Sequence, residues 1–175
     1  MCYNKLEIWM KTLPKKFYAR DTIEVARDLL GKTLVFGEKQ GKITEVEAYL
    51  GVDDPASHAF GKLTQRKKIF FGPAGIAYVF LIYGMHWCFN IITGPKGKKG
   101  CVLIQGINDV FGPGRVTKYF GIDGSHSGFD VTRGPIIVTS GTGNFTIEAT
   151  PRIGITKAID WPLRFVLTDR VTGSG

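Results

Sequence analysis

Ile43-Thr-Glu-Val-Glu-Ala-Tyr-Leu-Gly51 and, beyond a basic loop, Tyr78-Val-Phe-Leu-Ile-Tyr-Gly-Met-His-Trp-Cys-Phe-Asn90 carry most of the information in this chain. In the first stretch Glu45 and Glu47 alternate with Thr44, Val46 and Ala48, the two-residue period of a strand that turns both carboxylates to one face. The second stretch reads as two strands around the tip Tyr83-Gly84-Met85. Cys101 to Ile107 returns as a third after the basic turn Gly94-Pro-Lys-Gly-Lys-Lys-Gly100. Strands joined by short turns make an antiparallel meander and disfavour alternating βαβ units. The expected fold is therefore α+β, one domain with an antiparallel sheet and short helices. An acidic, solvated strand face is the commoner reason for such alternation. Acids set among Tyr49, His58, Tyr78, Phe80 and Tyr83 are, however, also what a pocket for a flat heterocycle requires.

Outward from that centre, Asp21-Thr-Ile-Glu24 reads as a helix N-cap with a capping box, and Gly31 as the helix's end. Thr33–Phe36 and 42–50 read as a hairpin joined by the loop Gly37–Gly41, and 64–71 as a short helix stopped at Gly72-Pro73. Arg66, Lys67 and Lys68 are candidate phosphate anchors beside the acidic strand. Pro113 opens a helix over Val116–Phe120, where Arg115 and free backbone N–H groups suit a phosphate. No Gly-Lys-Ser/Thr occurs, so this is no P-loop. Residues 135–140, 144–152 and 163–167 supply further strands, and 1–19 reads as a surface arm.

A chain of 175 residues with 43% hydrophobic residues is long enough and apolar enough to bury a core. Twenty-three Lys and Arg against fifteen Asp and Glu give a net charge of +8, a balance that favours a polyanion such as nucleic acid. Three cysteines without a Cys-x-x-Cys pair argue against a disulfide framework or zinc knuckle and for a reducing, intracellular setting. No apolar run reaches membrane-spanning length, and the start lacks the core of a secretory signal. The expectation is a soluble monomer with no membrane partner, no metal and no cofactor.

Taken together, Glu45-Val-Glu-Ala-Tyr-Leu-Gly51, His58, the Tyr78–Met85 hairpin, Asn90, Cys101-Val-Leu-Ile104, Gly112-Pro-Gly-Arg115, Pro151-Arg-Ile-Gly-Ile155 and Pro162-Leu-Arg-Phe165 resemble the mammalian-type alkyladenine (3-methyladenine) DNA glycosylase family. The resemblance spans about residues 20 to 170. It implies a curled antiparallel sheet and a monofunctional base-excision repair enzyme acting on double-stranded DNA containing alkylated purines. By it, Glu47 is the general base that activates water, with the Ile153 main-chain carbonyl helping to hold that water. Tyr49 stacks on the extruded base, Phe80 is the opposing ring, His58 meets the base edge and Asn90 screens exocyclic groups. Tyr83 enters the duplex from the hairpin tip beside Met85. Arg66, unless it belongs to a merely solvated face, and Arg115 are the DNA-backbone candidates from the residue reading above. The family has Tyr at the position of Phe80 and Arg at that of Gln105, and this chain is short between Gln105 and Gly112. The Gln105 exchange removes a charge beside the water, which gives the alternative of a weakened or inactive damaged-DNA-binding module. A third reading, from charge and sheet alone, is an RNA-binding domain.

Overall fold

The computed structural model describes residues 11–61, 64, 67–141 and 143–168. Apolar and β-branched stretches form the strands β1 (Thr33–Phe36), β2 (Lys39–Tyr49), β3 (Ala77–Ile82), β4 (His86–Thr93), β5 (Gly100–Ile107), β6 (Val110–Phe111), β7 (Ile136–Thr139), β8 (Thr146–Thr150) and β9 (Arg164–Thr168). Short helices accompany them, among them α1 (Lys15–Tyr18), α2 (Thr22–Leu29) and α3 (Pro113–Phe120). All strands join one antiparallel sheet of order β3-β4-β5-β2-β1-β7, with β6 on β5 and the β8–β9 pair attached through β9 to β2. The curled α+β fold expected from sequence is the one observed.

At eleven residues β2 is the longest strand and the hub of this sheet. Its first part pairs with β1, and Glu45, Val46 and Glu47 lie between β5 on one side and β9 on the other. Ile43, Val46 and Ala48 all enter the core. Residues 43 and 46 cannot share a face of a regular strand, so one irregularity is needed between them. The ladder to β5 supplies it, with register shifts on both sides of Glu45. Beyond the shift, Val46 and Ala48 face the core while Glu47 and Tyr49 face the other way.

The helices cover the core face. Asp21 caps α2 by accepting the backbone N–H groups of Ile23 and Glu24, and Gly31 turns the chain out of it at φ 79°. Val25, Ala26 and Leu29 of α2 pack on β2 and β5, and Val116 and Phe120 of α3 pack on β4 and β5. The cleft opens on the opposite face, where it is lined by Glu47 and Tyr49 of β2, Asn90 of β4 and Cys101, Leu103 and Gln105 of β5. Among the described residues no helix is long and apolar enough to cross a membrane.

Three local expectations are corrected. The β1–β2 loop is the two-residue turn Gly37-Glu38, because Phe36 already pairs with Lys39. Gly41 lies inside β2, where the Ile107 side chain occupies the space a Cβ would need. The described part of the surface arm is packed rather than free: Tyr18 is fully buried, Leu13 donates its N–H to Val138, and the lysines at 15 and 16 stay in solvent. The expected helix over 64–71 is, where described, 3₁₀ in character, with a turn at Ile69–Phe71 and the Lys67 N–H donating to the Thr64 carbonyl.

Candidate active site

Glu47 sits on the central strand of the sheet at 0% exposure. Three donors converge on its carboxylate. Oε1 accepts the Gln105 amide N–H at 3.1 Å and the Ile153 backbone N–H at 2.8 Å, and Oε2 accepts the Tyr49 hydroxyl at 2.8 Å. Each has a simple structural origin. Tyr49 is two residues along the same strand, Gln105 projects from the neighbouring β5, and Ile153 follows β8 in a loop folded over the strand end. Ile153 thus meets Glu47 through its backbone N–H, which leaves its carbonyl free of this contact. Burial, then the adjacent Glu47 charge, push the Tyr49 hydroxyl far above the ordinary phenol range, so it stays a donor. The Gln105 Oε1 is buried without a hydrogen-bond partner among the described residues.

Glu47 closes the floor of a cleft of about 720 Å³ whose walls include Tyr49, His58, Tyr78, Phe80, Asn90, Gln105 and Ile153. Glu45 does not line it. At the register shift Glu45 turns instead to Arg164, whose Nε donates to it at 2.6 Å. His58 stands against Phe80, ring centroids 4.2 Å apart, with Nδ1 3.2 Å from the Tyr78 hydroxyl. Partial burial and the nearby Lys67 ammonium lower its pKa, favouring neutral imidazole. Asn90 is clamped: its amide donates to the Tyr78 and Cys88 carbonyls, and its oxygen faces the Cys101 thiol at 3.7 Å. Burial pushes the Cys88 thiol up to about 12 and Cys101 higher still, so neither is a thiolate nucleophile.

At the cleft mouth the β3–β4 tip carries Tyr83, 82% exposed and held at φ 50°, and Met85, 68% exposed. Tyr83 also lines the cleft, whereas Met85 does not. Arg115 is exposed on the first turn of α3 and is not among the lining residues. Arg66 lies outside the described residues.

The family model described as methylpurine-DNA glycosylase (MPG) matches the chain over residues 16–111 and 108–171. The chain belongs to the methylpurine-DNA glycosylase family. Proteins named "Putative 3-methyladenine DNA glycosylase" from Rickettsia peacockii (strain Rustic) and Legionella pneumophila (strain Lens) are 44% and 43% identical to it. The first alignment covers 90% of both chains, and the second 91% of this chain and 96% of the relative. A relative of the same name from Ehrlichia ruminantium (strain Welgevonden) is 41% identical over 90% of this chain.

Sequence reasoning about this family member missed an ion pair behind the cleft. Asp54 and Arg152 have fully buried side chains. The guanidinium donates from Nη2 to Asp54 at 2.9 Å and from Nη1 both to Asp54 and to the Ala48 carbonyl. Asp54 also accepts the backbone N–H groups of Leu50 and Ala56. Burial alone would raise the Asp54 pKa, but these hydrogen bonds outweigh it and hold the carboxyl below the ordinary range. The pair ties the loop that delivers His58 to the segment that delivers Ile153. Arg152 stood in plain view within Pro151-Arg-Ile, yet no local signal tells which acid it meets. A lysine was also overlooked: Lys157 lines the cleft from an exposed rim position, its Nζ 5.8 Å from the Phe60 ring centre.

Proposed function

We propose that this family member is a monofunctional DNA glycosylase that hydrolyses the N-glycosidic bond of alkylated purines of the 3-methyladenine and 7-methylguanine type, using water directed by Glu47. The observation that carries this reading is the hydrogen-bond state of the Glu47 carboxylate. A carboxylate offers about four acceptor sites, two on each oxygen. Both sites on Oε1 are taken, but among the described residues Oε2 accepts only Tyr49. One acceptor position therefore remains, on the oxygen beside the aromatic wall.

A water bound there donates one hydrogen to Oε2 and presents a lone pair to the sugar. The base must first leave the duplex, since its glycosidic bond cannot be reached inside the stack. Tyr83, exposed at the hairpin tip, is suited to fill the gap. Tyr49 and Phe80 offer faces for stacking, and His58 and Asn90 offer polar groups to the base edge. An alkylated purine carries positive charge and leaves as a neutral base, taking the electron pair of the breaking C1′–N bond. Water oxygen bonds to C1′, and its proton passes to Glu47. The carboxylate also stabilises the oxocarbenium-like sugar as charge develops.

The test uses duplex DNA bearing 3-methyladenine or 7-methylguanine, followed by alkaline heating that cuts at abasic sites. Wild type produces cuts, and Glu47→Gln lowers the single-turnover rate by about 10²–10⁴-fold. No cutting by wild type at enzyme excess overturns the reading, as does a full rate in Glu47→Gln. The binding-only reading rests on Gln105, which meets Glu47 with a neutral amide. It expects tight lesion binding without base release, and a rate that appears only in Gln105→Arg.

A further inference from the structure

One wall of the cleft already has a cation behind it. The Arg152 guanidinium lies over the Tyr49 ring, its carbon 4.6 Å from the centroid. Arg152 is buried and is not a lining residue, whereas Tyr49 lines the cleft. The ring thus shows the cleft the face that the guanidinium does not cover.

An aromatic ring attracts cations because its quadrupole places negative charge over both faces. Cations on opposite faces draw on the same electron density, and they also repel each other across the ring. A ring backed by a guanidinium therefore holds a cationic base less well than a bare ring. A neutral purine stacks by dispersion and apolar contact and loses little. Asp54, at the fork of the guanidinium, keeps this buried cation in place through two hydrogen bonds. The Arg152 charge is also felt at the edge of the ring. At the Tyr49 hydroxyl, pushed up by burial and by Glu47, it acts in the opposite, downward direction. Phe80 is different. Its ring neighbours are His58 and Tyr78, and among the described residues no Lys or Arg lies over it.

We propose that Arg152, held by Asp54 against the back of Tyr49, is a specificity-determining residue that lowers the pocket's preference for cationic over neutral purines. The preference that remains comes from Phe80. This rests on the glycosylase reading above and adds a sign to one of its walls.

The experiment measures single-turnover excision from two otherwise identical duplexes at one pH and salt. One carries 7-methylguanine, which is cationic, and the other hypoxanthine, which is neutral. The readout is the ratio of the two rates, so a shared loss from misfolding or from a misplaced Glu47 cancels. The uncharged double variant Asp54→Asn/Arg152→Gln raises the cationic-to-neutral ratio by about threefold or more, the scale of a cation–π contact. Arg152→Lys, which keeps the charge, stays closer to wild type. Should the double variant not fold, the rings decide: Phe80→Leu lowers the ratio more than Tyr49→Leu does. An unchanged or lowered ratio in the folded double variant overturns the proposal, as does a larger drop in Tyr49→Leu than in Phe80→Leu. Wild type that excises neither base overturns the glycosylase reading instead.

Discussion

At the scale of single residues, the site combines one acid with neighbours that donate to it and do not compete with it. Tyr49 cannot lose its proton at neutral pH, and both cleft thiols stay protonated. His58 is the imidazole on the cleft wall. Burial and Lys67 lower its pKa from the usual value of 6.5, so the folded protein binds its proton less readily than the unfolded chain. Stability from this group is complete above that value and is lost as pH falls into the window below it. Protonated His58 also repels a cationic base. We expect 7-methylguanine excision to fall on the acid side with a limb that disappears in His58→Gln. A retained limb in that variant would assign the titration elsewhere. Glu47, Tyr49 and Phe80 were legible from strand pattern and residue type, and Asn90 and Gln105 through the resemblance to the family. The cleft gathers all five. The Asp54–Arg152 contact was not legible, because the two residues are 98 apart in sequence and nothing local to either names the other.

At the scale of elements, the decisive feature is the irregularity in β2. It lets Ile43 and Val46 share the core while Glu47 and Tyr49 face the cleft. Gly106 of β5 sits opposite Glu45 at this point, where a Cβ would lie 2.9 Å from the Glu45 Cβ and 3.0 Å from the Thr44 Oγ1. The first of these atoms is fixed to the backbone and cannot swing aside. Gly106→Ala is therefore expected to destabilise by about 1–3 kcal/mol, as overpacking does. Urea unfolding measures this as a lower midpoint at unchanged slope. A midpoint equal to wild type would mean that the two strands separate there without cost. The strands and the β3–β4 tip were readable from β-branched and aromatic runs bounded by glycine. The register shift was not, since strict alternation predicts Glu45 and Glu47 on one face. Only the competition between core and cleft for β2 side chains separates them.

At the scale of the whole molecule, the net charge of +8 was plain in the composition, but its distribution over the surface was not. The fold puts the exposed ring of Tyr83 and the ammonium of Lys157 at the same cleft. Other lysines are spent elsewhere: Lys39 donates to the Tyr119 carbonyl at 2.7 Å and is not a cleft residue. Duplex binding at the cleft releases counterions, so log K falls linearly with log salt, by about 0.9 for each phosphate neutralised. If Lys157 neutralises one phosphate at the rim, Lys157→Ala reduces the magnitude of that slope by about one. Lys39→Ala leaves it unchanged. Titrating an uncleavable duplex with an abasic-site analogue at several salt concentrations gives both slopes without relying on turnover. Equal slopes for wild type and Lys157→Ala would place the duplex away from this rim. The same variant also checks the hydrolytic mechanism, because Lys157 is the lysine among the described lining residues that an imine-forming mechanism would have to use. A water directed by Glu47 needs no amine, so borohydride is expected to trap no protein–DNA adduct in wild type. An adduct that vanished in Lys157→Ala would replace the water with the lysine.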